Sequence, residues 1–318
     1  MYALTGANGH LGRLVIKHLL AQVPANQIIA TTRDPHKLAD IASLGVIVRR
    51  ADFSDPTALA AAYAGASRLL MISTYVVGKS VELHKAAIAG AAAAGVKHLV
   101  YTSIPHADPG SANPLIADHG QTEVALAASG VPWTALRNSF YAEILKNFLE
   151  LLLVKRQFLI PEGSAKHSWI SREDCARAAT GALIGKLTTT GPVDVTGPEA
   201  LSFADLASRL SSLSDHHITA HPLPDQEIIA QIMTKGVPAE AARSTMKLIS
   251  WIAHASTETP TDTVERASGT KPTSIDPILR TLATASDDVE GFREGLQPSL
   301  KPHITYLCRA HQLVGLRP

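Results

Sequence analysis

Met1-Tyr-Ala-Leu-Thr-Gly-Ala-Asn-Gly-His-Leu-Gly12 decides the fold: a short apolar strand runs into three glycines, Gly6, Gly9 and Gly12, and then straight into the helical pattern Leu14, Val15, His18, Leu19. Strand, glycine turn and helix in that order form a phosphate cradle. Gly6 allows the tight turn, Gly9 lets the backbone approach a pyrophosphate, and Gly12 lets the helix pack close against its strand, while the first helical N–H groups face the anion. Asn8, His10 and Leu11, set between and after the glycines, are the other residues this cradle brings to a dinucleotide.

Outward from the cradle, a second strand, Gln27 to Thr32, ends in Arg33, with His36 and Lys37 just beyond. No acidic residue stands where NAD-selective proteins grip the ribose hydroxyls. Arg33, with Lys37 beside it, can clamp a 2′-phosphate that a carboxylate would repel, so the expected cofactor is NADPH. The bland alternative is a solvated basic turn. Asp52 and Phe53 follow a third strand, Gly45 to Arg50, where an adenine ring would lie. Ser73 and Thr74 end a fourth strand where ribose and diphosphate pass, and Asn138 follows the sixth. Ser103 ends the fifth strand, a position suited to a substrate or ribose contact and equally to a turn hydroxyl.

The strands expected near 2–5, 27–32, 45–50, 68–73, 97–102 and 132–137 alternate with helical patterns, which predicts an α/β fold with a Rossmann-like, doubly wound parallel sheet over residues 1–137. Asp55-Pro56 and Ser80 read as helix starts and Gly65, Gly95 and Gly130 as stops. Ala86 to Val96, rich in alanine and glycine, suits a helix packed very close to the sheet. After Arg137 the texture turns helical and proline-broken, and residues 138–285 are read as a smaller substrate-binding lid interleaved with the first part, with a brief return of strand character at Gly191 to Thr196. The apolar run Phe148 to Val154 reads as a buried or pocket-lining helix. Ser171-x-x-Asp174 and Ser202-x-x-Asp205 predict helix N-caps for 172–186 and 203–213. Two more helices and a connector, Thr257 to Ser274, are expected within 224–282. Residues 286–318 shift in composition and read as an appended tail.

At 318 residues, 46% hydrophobic and 18% charged, the chain can bury a large core. A net charge of +1 with no Lys/Arg stripe argues against nucleic acid as a ligand. Cys175 and Cys308 are too few for a disulfide framework and suit a reducing compartment. With Met1 leading into the first strand and no apolar run long enough to span a bilayer, a cytoplasmic protein with no membrane association is expected. His216, His217 and His221 beside a single carboxylate, Asp215, are a weak metal signal, and no metal is expected. Apolar helices of this kind suit a homodimer, which the sequence leaves open.

Thr5-Gly-Ala-Asn-Gly-His-Leu-Gly12, Val23-Pro-Ala-Asn-Gln-Ile-Ile29 leading to Arg33, Ala94-Gly-Val-Lys-His-Leu-Val-Tyr-Thr-Ser103, Gly130-Val-Pro-Trp-Thr-Ala-Leu-Arg-Asn138 with Tyr141, and Thr263-Val-x-Arg-x-x-Gly-x-x-Pro-Thr273 together resemble the NmrA-like group of atypical short-chain dehydrogenases. Within it the likeness is to the NADPH:quinone oxidoreductase and triphenylmethane reductase type, over about residues 1–283. The resemblance implies an NADPH-binding fold whose catalytic members pass hydride to quinones, dyes or other conjugated acceptors.

An ordinary short-chain dehydrogenase carries Tyr-x-x-x-Lys on the helix after the fifth strand, where this chain reads Asp118-His119-Gly-Gln-Thr122-Glu123. Tyr75-Val-Val-Gly-Lys79 has the spacing but follows the fourth strand, and is read as coincidence. The resemblance makes His119 the candidate proton donor, an imidazole expected to titrate near neutrality. Tyr141 is the second catalytic candidate, closing the pocket or bonding a substrate oxygen. His106, in the loop Ile104 to Pro114, is read as exposed. The leading reading is therefore an NADPH-dependent oxidoreductase acting on a small conjugated molecule. The alternative is a non-catalytic redox sensor that binds the dinucleotide and a partner protein, as regulatory members of the group do. An isomerase that uses the cofactor only structurally is a third.

Overall fold

The computed structural model describes residues 1–285 apart from 77, 155, 215 and 216. The expected tail 286–318 with Cys308, and Asp215 and His216 of the histidine cluster, lie outside the described residues. In chain order the first elements are β1 (Tyr2–Leu4), α1 (His10–Leu20), β2 (Ile28–Thr32), α2 (Ala39–Ser43), β3 (Ile47–Arg50), α3 (Pro56–Tyr63), β4 (Arg68–Met71), α4 (Ser80–Ala93), β5 (His98–Ser103), α5 (Pro114–Ala128) and β6 (Trp133–Asn138). There follow α6 (Leu145–Leu152), β7 (Leu153–Val154), β8 (Gln157–Ile160), α7 (Arg172–Leu183), β9 (Gly191–Val195), α8 (Phe203–Leu213), β10 (Thr219–Pro222), α9 (Asp225–Thr234), α10 (Ala239–His254), α11 (Thr263–Ser268) and α12 (Asp276–Ala285).

The chain divides into two compact units. The first takes residues 1–139, 172–196 and 261–272. Its sheet is parallel throughout, in the order β3-β2-β1-β4-β5-β6-β9. β1 lies between β2 and β4, so Tyr2 pairs with Ile28 on one side and Arg68 on the other. Chain progression reverses direction there, and in open α/β sheets that reversal opens the ligand crevice at the strand C-termini. Helix α4 packs against α3 and α5, and α7 against α1 and α11, giving two helical layers around a doubly wound sheet. Every residue of β5 is buried, as a parallel strand covered on both faces requires. The six expected strands all appear, each within two residues of its predicted bounds, and α3, α4 and α5 stop just short of Gly65, Gly95 and Gly130.

Three segments expected in the lid belong instead to this unit. β9 is the seventh strand, pairing with β6 through Thr134↔Gly191 to Asn138↔Val195. Helix α7 packs on α1, and α11, inside the presumed connector, packs on α7 so closely that a Cβ on Gly181 would strike the carbonyl of Ala267. The alanine-rich α4 makes its closest approach to helix α3 rather than to the sheet: a Cβ at Gly90 would lie 2.6 Å from Leu59 Cβ.

The second unit takes, among the described residues, 140–171, 197–260 and 273–285. It has its own core, in which Phe148, Phe158, Trp169, Leu206, Leu210, Ile249 and Ile252 are buried. Ser202 caps α8 in the expected box, its Oγ accepting from Asp205 N–H at 3.1 Å while Asp205 Oδ2 accepts from Ser202 N–H at 2.9 Å. Phe148, Leu151 and Leu152 are buried on helix α6 as expected, but Leu153 and Val154 begin a small sheet ordered β10-β8-β7. Its strands are two to four residues long and carry no alternation, which is why no sequence pattern announced them. Helices α9, α10, α11 and α12 stand where two were expected.

Candidate functional site

In the first unit the cradle is built as the glycines dictate. Thr5 N–H donates to Leu70 O at 2.9 Å and Thr5 Oγ1 accepts from Ile72 N–H at 3.0 Å, so the end of β1 is tied to the chain leaving β4. Gly6 turns with φ +61°, in the left-handed region that a side chain resists. A Cβ on Gly12 would come within 2.8 Å of Ala7 Cα and closer still to the Gly6 carbonyl, so Gly12 lets α1 seat on the loop itself. Helix α1 has Gly9 as its N-cap, with no side chain capping it and no acidic residue in its first turn. Its first N–H groups are thus left to an anion. Leu11 is buried in the core and can offer only backbone, whereas Asn8 is half-buried and His10 exposed.

Arg33 stands exposed at the end of β2, and Lys37 is exposed in the 3-10 turn Pro35–Leu38. The neighbouring carboxylate is occupied: Asp34 Oδ1 accepts from His36 N–H at 3.2 Å and caps that turn. Asp52 Oδ1 accepts from Ser54 N–H and Oγ at 3.0 and 2.8 Å, and those bonds, with Arg33 and Arg50 nearby, hold its carboxyl below the usual range. Phe53 lies on the core edge with its ring 6.4 Å from that of His84.

At the end of β4, Ser73 N–H donates to Thr102 Oγ1 at 2.8 Å, and Thr74 N–H donates to His84 Nε2 at 3.0 Å. That donation fixes the tautomer. Nε2 accepts, so the ring proton sits on Nδ1 and is donated to Thr122 Oγ1 at 2.9 Å, whose own hydroxyl donates to Asp118 O at 2.7 Å. Burial pushes His84 down to about 4, so the chain of bonds holds at neutral pH. Sequence reading missed His84, because its partners come from a strand end and from α5.

His119 is buried on α5, 7% exposed, with Nδ1 2.8 Å from Tyr101 Oη. Burial first, and then His84, lower it to about 3. The expected titration near neutrality is therefore corrected: His119 is a neutral imidazole at pH 7, with Nε2 as the ring nitrogen left over. Tyr75 and Lys79 do not form an activated dyad. Lys79 is exposed and burial raises the Tyr75 phenol to about 12, the opposite of what catalysis by a phenolate needs.

Ser103 Oγ donates to Glu123 Oε1 at 2.7 Å, and Arg137 grips the same carboxylate through Nε at 3.0 Å and Nη2 at 2.6 Å. Arg137 Nη2 also donates to Ala107 O at 3.2 Å, fastening the loop after β5. Gly120 fastens it a second time, since a Cβ there would lie 2.8 Å from Asp108 N. His106, in that loop, is exposed as expected, with φ +56°. Asn138, at the end of β6, is buried with its Oδ1 unpartnered among the described residues, an acceptor available to a ligand amide or hydroxyl.

In the second unit Tyr141 is half-buried and pairs in a parallel bridge with Ile170. Beside it Phe140 packs among His167, Trp169 and Trp251. His167 Nε2 donates to Ile252 O at 2.7 Å and Nδ1 meets Glu258 Oε1 at 3.1 Å, a buried pair that the sequence did not signal. Among the described residues no group of His, Cys, Asp or Glu is arranged to hold a metal, and no helix is long and apolar enough to cross a membrane.

A family model described as NAD(P)H-binding matches residues 6–184, more than half of the chain. Quinone oxidoreductase 2 of Escherichia coli strain K12 is 37% identical over 239 residues, which is 75% of this chain and 83% of that protein. A solved structure of the NADPH-dependent quinone oxidoreductase from Escherichia coli, complexed with NADPH, matches with a TM-score of 0.79 at 33% identity, over 89% of this chain and 99% of that one. The triphenylmethane reductase of Citrobacter sp. matches with a TM-score of 0.79 at 30% identity, again over 89% and 99%. With its glycine cradle, its switch point at β1 and these likenesses, the chain belongs to the NAD(P)H-binding family, among whose members it resembles the quinone oxidoreductases.

Proposed function

We propose that this protein is an oxidoreductase that passes hydride from NADPH to a small, flat, conjugated acceptor, a quinone above all. The observation that carries this reading is the uncapped N-terminus of α1 behind Gly6, Gly9 and Gly12, with Arg33 and Lys37 exposed beyond β2, in a chain 37% identical to a quinone oxidoreductase. Bound NADPH supplies the hydride, and the balance is one NADPH, one quinone and one proton giving NADP⁺ and hydroquinone.

The residues divide the work by position. The loop N–H groups and α1 hold the diphosphate, with Asn8, His10 and Leu11 beside it, and Arg33 with Lys37 neutralises a 2′-phosphate. Asp52 and Phe53 border the adenine, and Ser73, Thr74, Ser103 and Asn138 follow the ribose and nicotinamide side. His84 keeps Thr74 in place. His119 acts as a neutral hydrogen-bond donor: with the Tyr101 hydroxyl donating to Nδ1, the ring proton is on Nε2, and that N–H can polarise an acceptor carbonyl as hydride arrives, much as a neutral imidazole can serve elsewhere as an electrophile. The proton that completes the hydroquinone then comes from solvent. Tyr141 is assigned to the acceptor side. The same reading places the protein in the cytoplasm, supported by its two cysteines, and pairs it as a homodimer, supported by exposed Val124 on α5.

The non-catalytic sensor is less supported, because the proteins named above are reductases. NADPH oxidation followed by absorbance across a panel of quinones and conjugated ketones, beside a fluorescence titration of NADPH, tests the proposal. Turnover on a quinone is expected. Tight binding with no turnover on any acceptor would move the protein to the sensor reading.

A further inference from the structure

Arg13 lies in the first turn and a half of α1, and its side chain runs back toward the helix N-terminus, as long helical side chains do. Its Nη2 donates to Asn8 Oδ1 at 3.1 Å and to Lys37 O at 2.6 Å, and the guanidinium meets Asp40 through Nη1 to Oδ2 at 2.7 Å and, more loosely, Nη2 to Oδ1 at 3.4 Å. One guanidinium therefore spans from the glycine loop to the basic turn that follows Arg33. The adenosine end of a dinucleotide runs between those two stretches in this fold.

The Asp40 partner is exchangeable. Arg13 and Asp40 side chains are 37% and 62% exposed, so their ion pair is one of the weak, solvent-screened kind. The hydrogen bond from Arg13 holds the Asp40 carboxyl below its usual range, so it is a full anion at neutral pH. A phosphate brings more charge and three acceptor oxygens in the geometry a guanidinium fork prefers.

We propose that Arg13 is a specificity-determining residue: a second guanidinium for the 2′-phosphate beside Arg33, with Asp40 as the internal anion that occupies it until that phosphate arrives. The proposal rests on the NADPH reading above. With a 2′-hydroxyl in the site Asp40 keeps Arg13. With a 2′-phosphate the carboxylate gives way, and its own charge opposes the phosphate, so Asp40 tempers the preference that Arg13 and Arg33 create.

Binding of 2′,5′-ADP and 5′-AMP, measured by calorimetry on the full chain, separates the two ideas. If the wild-type protein binds both equally, the 2′-phosphate reading of Arg33 fails at the outset. If it prefers 2′,5′-ADP, Arg13→Gln is expected to weaken 2′,5′-ADP by about tenfold or more and 5′-AMP by less than about twofold, while Asp40→Asn tightens 2′,5′-ADP. Arg13→Lys, which keeps the charge but loses the fork, is expected to fall between. Equal loss of both nucleotides in Arg13→Gln, with an unchanged melting temperature, would make Arg13 a brace of the loop and overturn the proposal. An Asp40→Asn protein that binds 2′,5′-ADP no more tightly would remove Asp40 from its part.

Discussion

On the proposed reading, cofactor choice and proton handling rest on single residues. Arg33→Glu replaces an exposed cation at the end of β2 with the carboxylate that NAD-selective proteins use, and a charge-assisted bond is worth about 1.5–3 kcal/mol. NADPH affinity is expected to fall by about 10- to 100-fold while NADH changes little; equal loss of both, read by fluorescence titration, would take Arg33 off the phosphate. His119 was legible as a site candidate from its place on α5, but its state was not. His119 is neutral at pH 7 with its titration moved to about 3 because it is buried, with the Tyr101 ring against it, and because His84 lies nearby, and burial is a long-range fact. Accordingly kcat should be flat between about pH 5.5 and 8, and His119→Ala should lower kcat by about tenfold or more with little change in the NADPH KM. An inflection near pH 6.5 that disappears in His119→Ala would show an imidazolium acid instead. Arg33 could be named as a candidate directly from its neighbours in sequence, and its exposed place at the end of β2 agrees with that reading. Glu123 could not, because Ser103 and Arg137 reach it from two different strands.

At the scale of elements, the strand–glycine–helix opening was fully legible, since Gly6 and Gly12 are required by local geometry alone. Gly12→Ala puts a methyl against the backbone of Gly6 and Ala7, which cannot move without lifting α1 off its loop. The expected cost is about 1–3 kcal/mol of stability, as for other overpacked sites, together with loss of NADPH binding; a variant that keeps wild-type affinity would show that α1 does not seat as described. The late elements were less legible. β9, α7 and α11 carry ordinary strand and helix signals, but nothing in their own residues says which unit they join. That is settled by partners far away in sequence, β6 for β9 and α1 for α7. The small sheet β10-β8-β7 was invisible for a different reason: a parallel pair such as β8 with β10 needs no turn signal and shows no alternation when Phe158, Leu159 and Ile160 are all buried.

Taken whole, the molecule is built of two units with separate cores, and the first of them buries three histidines that stay neutral. His84 and His98 are lowered to about 4 and His119 to about 3, each chiefly by desolvation. An unfolded chain protonates histidine near pH 6.5. Between about 6.5 and 4 the unfolded state therefore binds protons that the folded state refuses, so stability is complete above that window and is lost as pH falls through it. The melting temperature should drop by on the order of 10 °C between pH 7.5 and pH 5, and Thr122→Val, which removes the acceptor of His84 Nδ1–H, should lower it at pH 7.5 as well. A melting temperature that is constant over that range would mean these imidazoles are more solvated than their surroundings indicate. Two-electron reduction of a quinone by NADPH on this chain is tested by incubating the protein with NADPH and a quinone without oxygen and measuring both products. One hydroquinone is expected for each NADPH consumed. NADPH that binds and is never oxidised, or is oxidised without hydroquinone appearing, would contradict it.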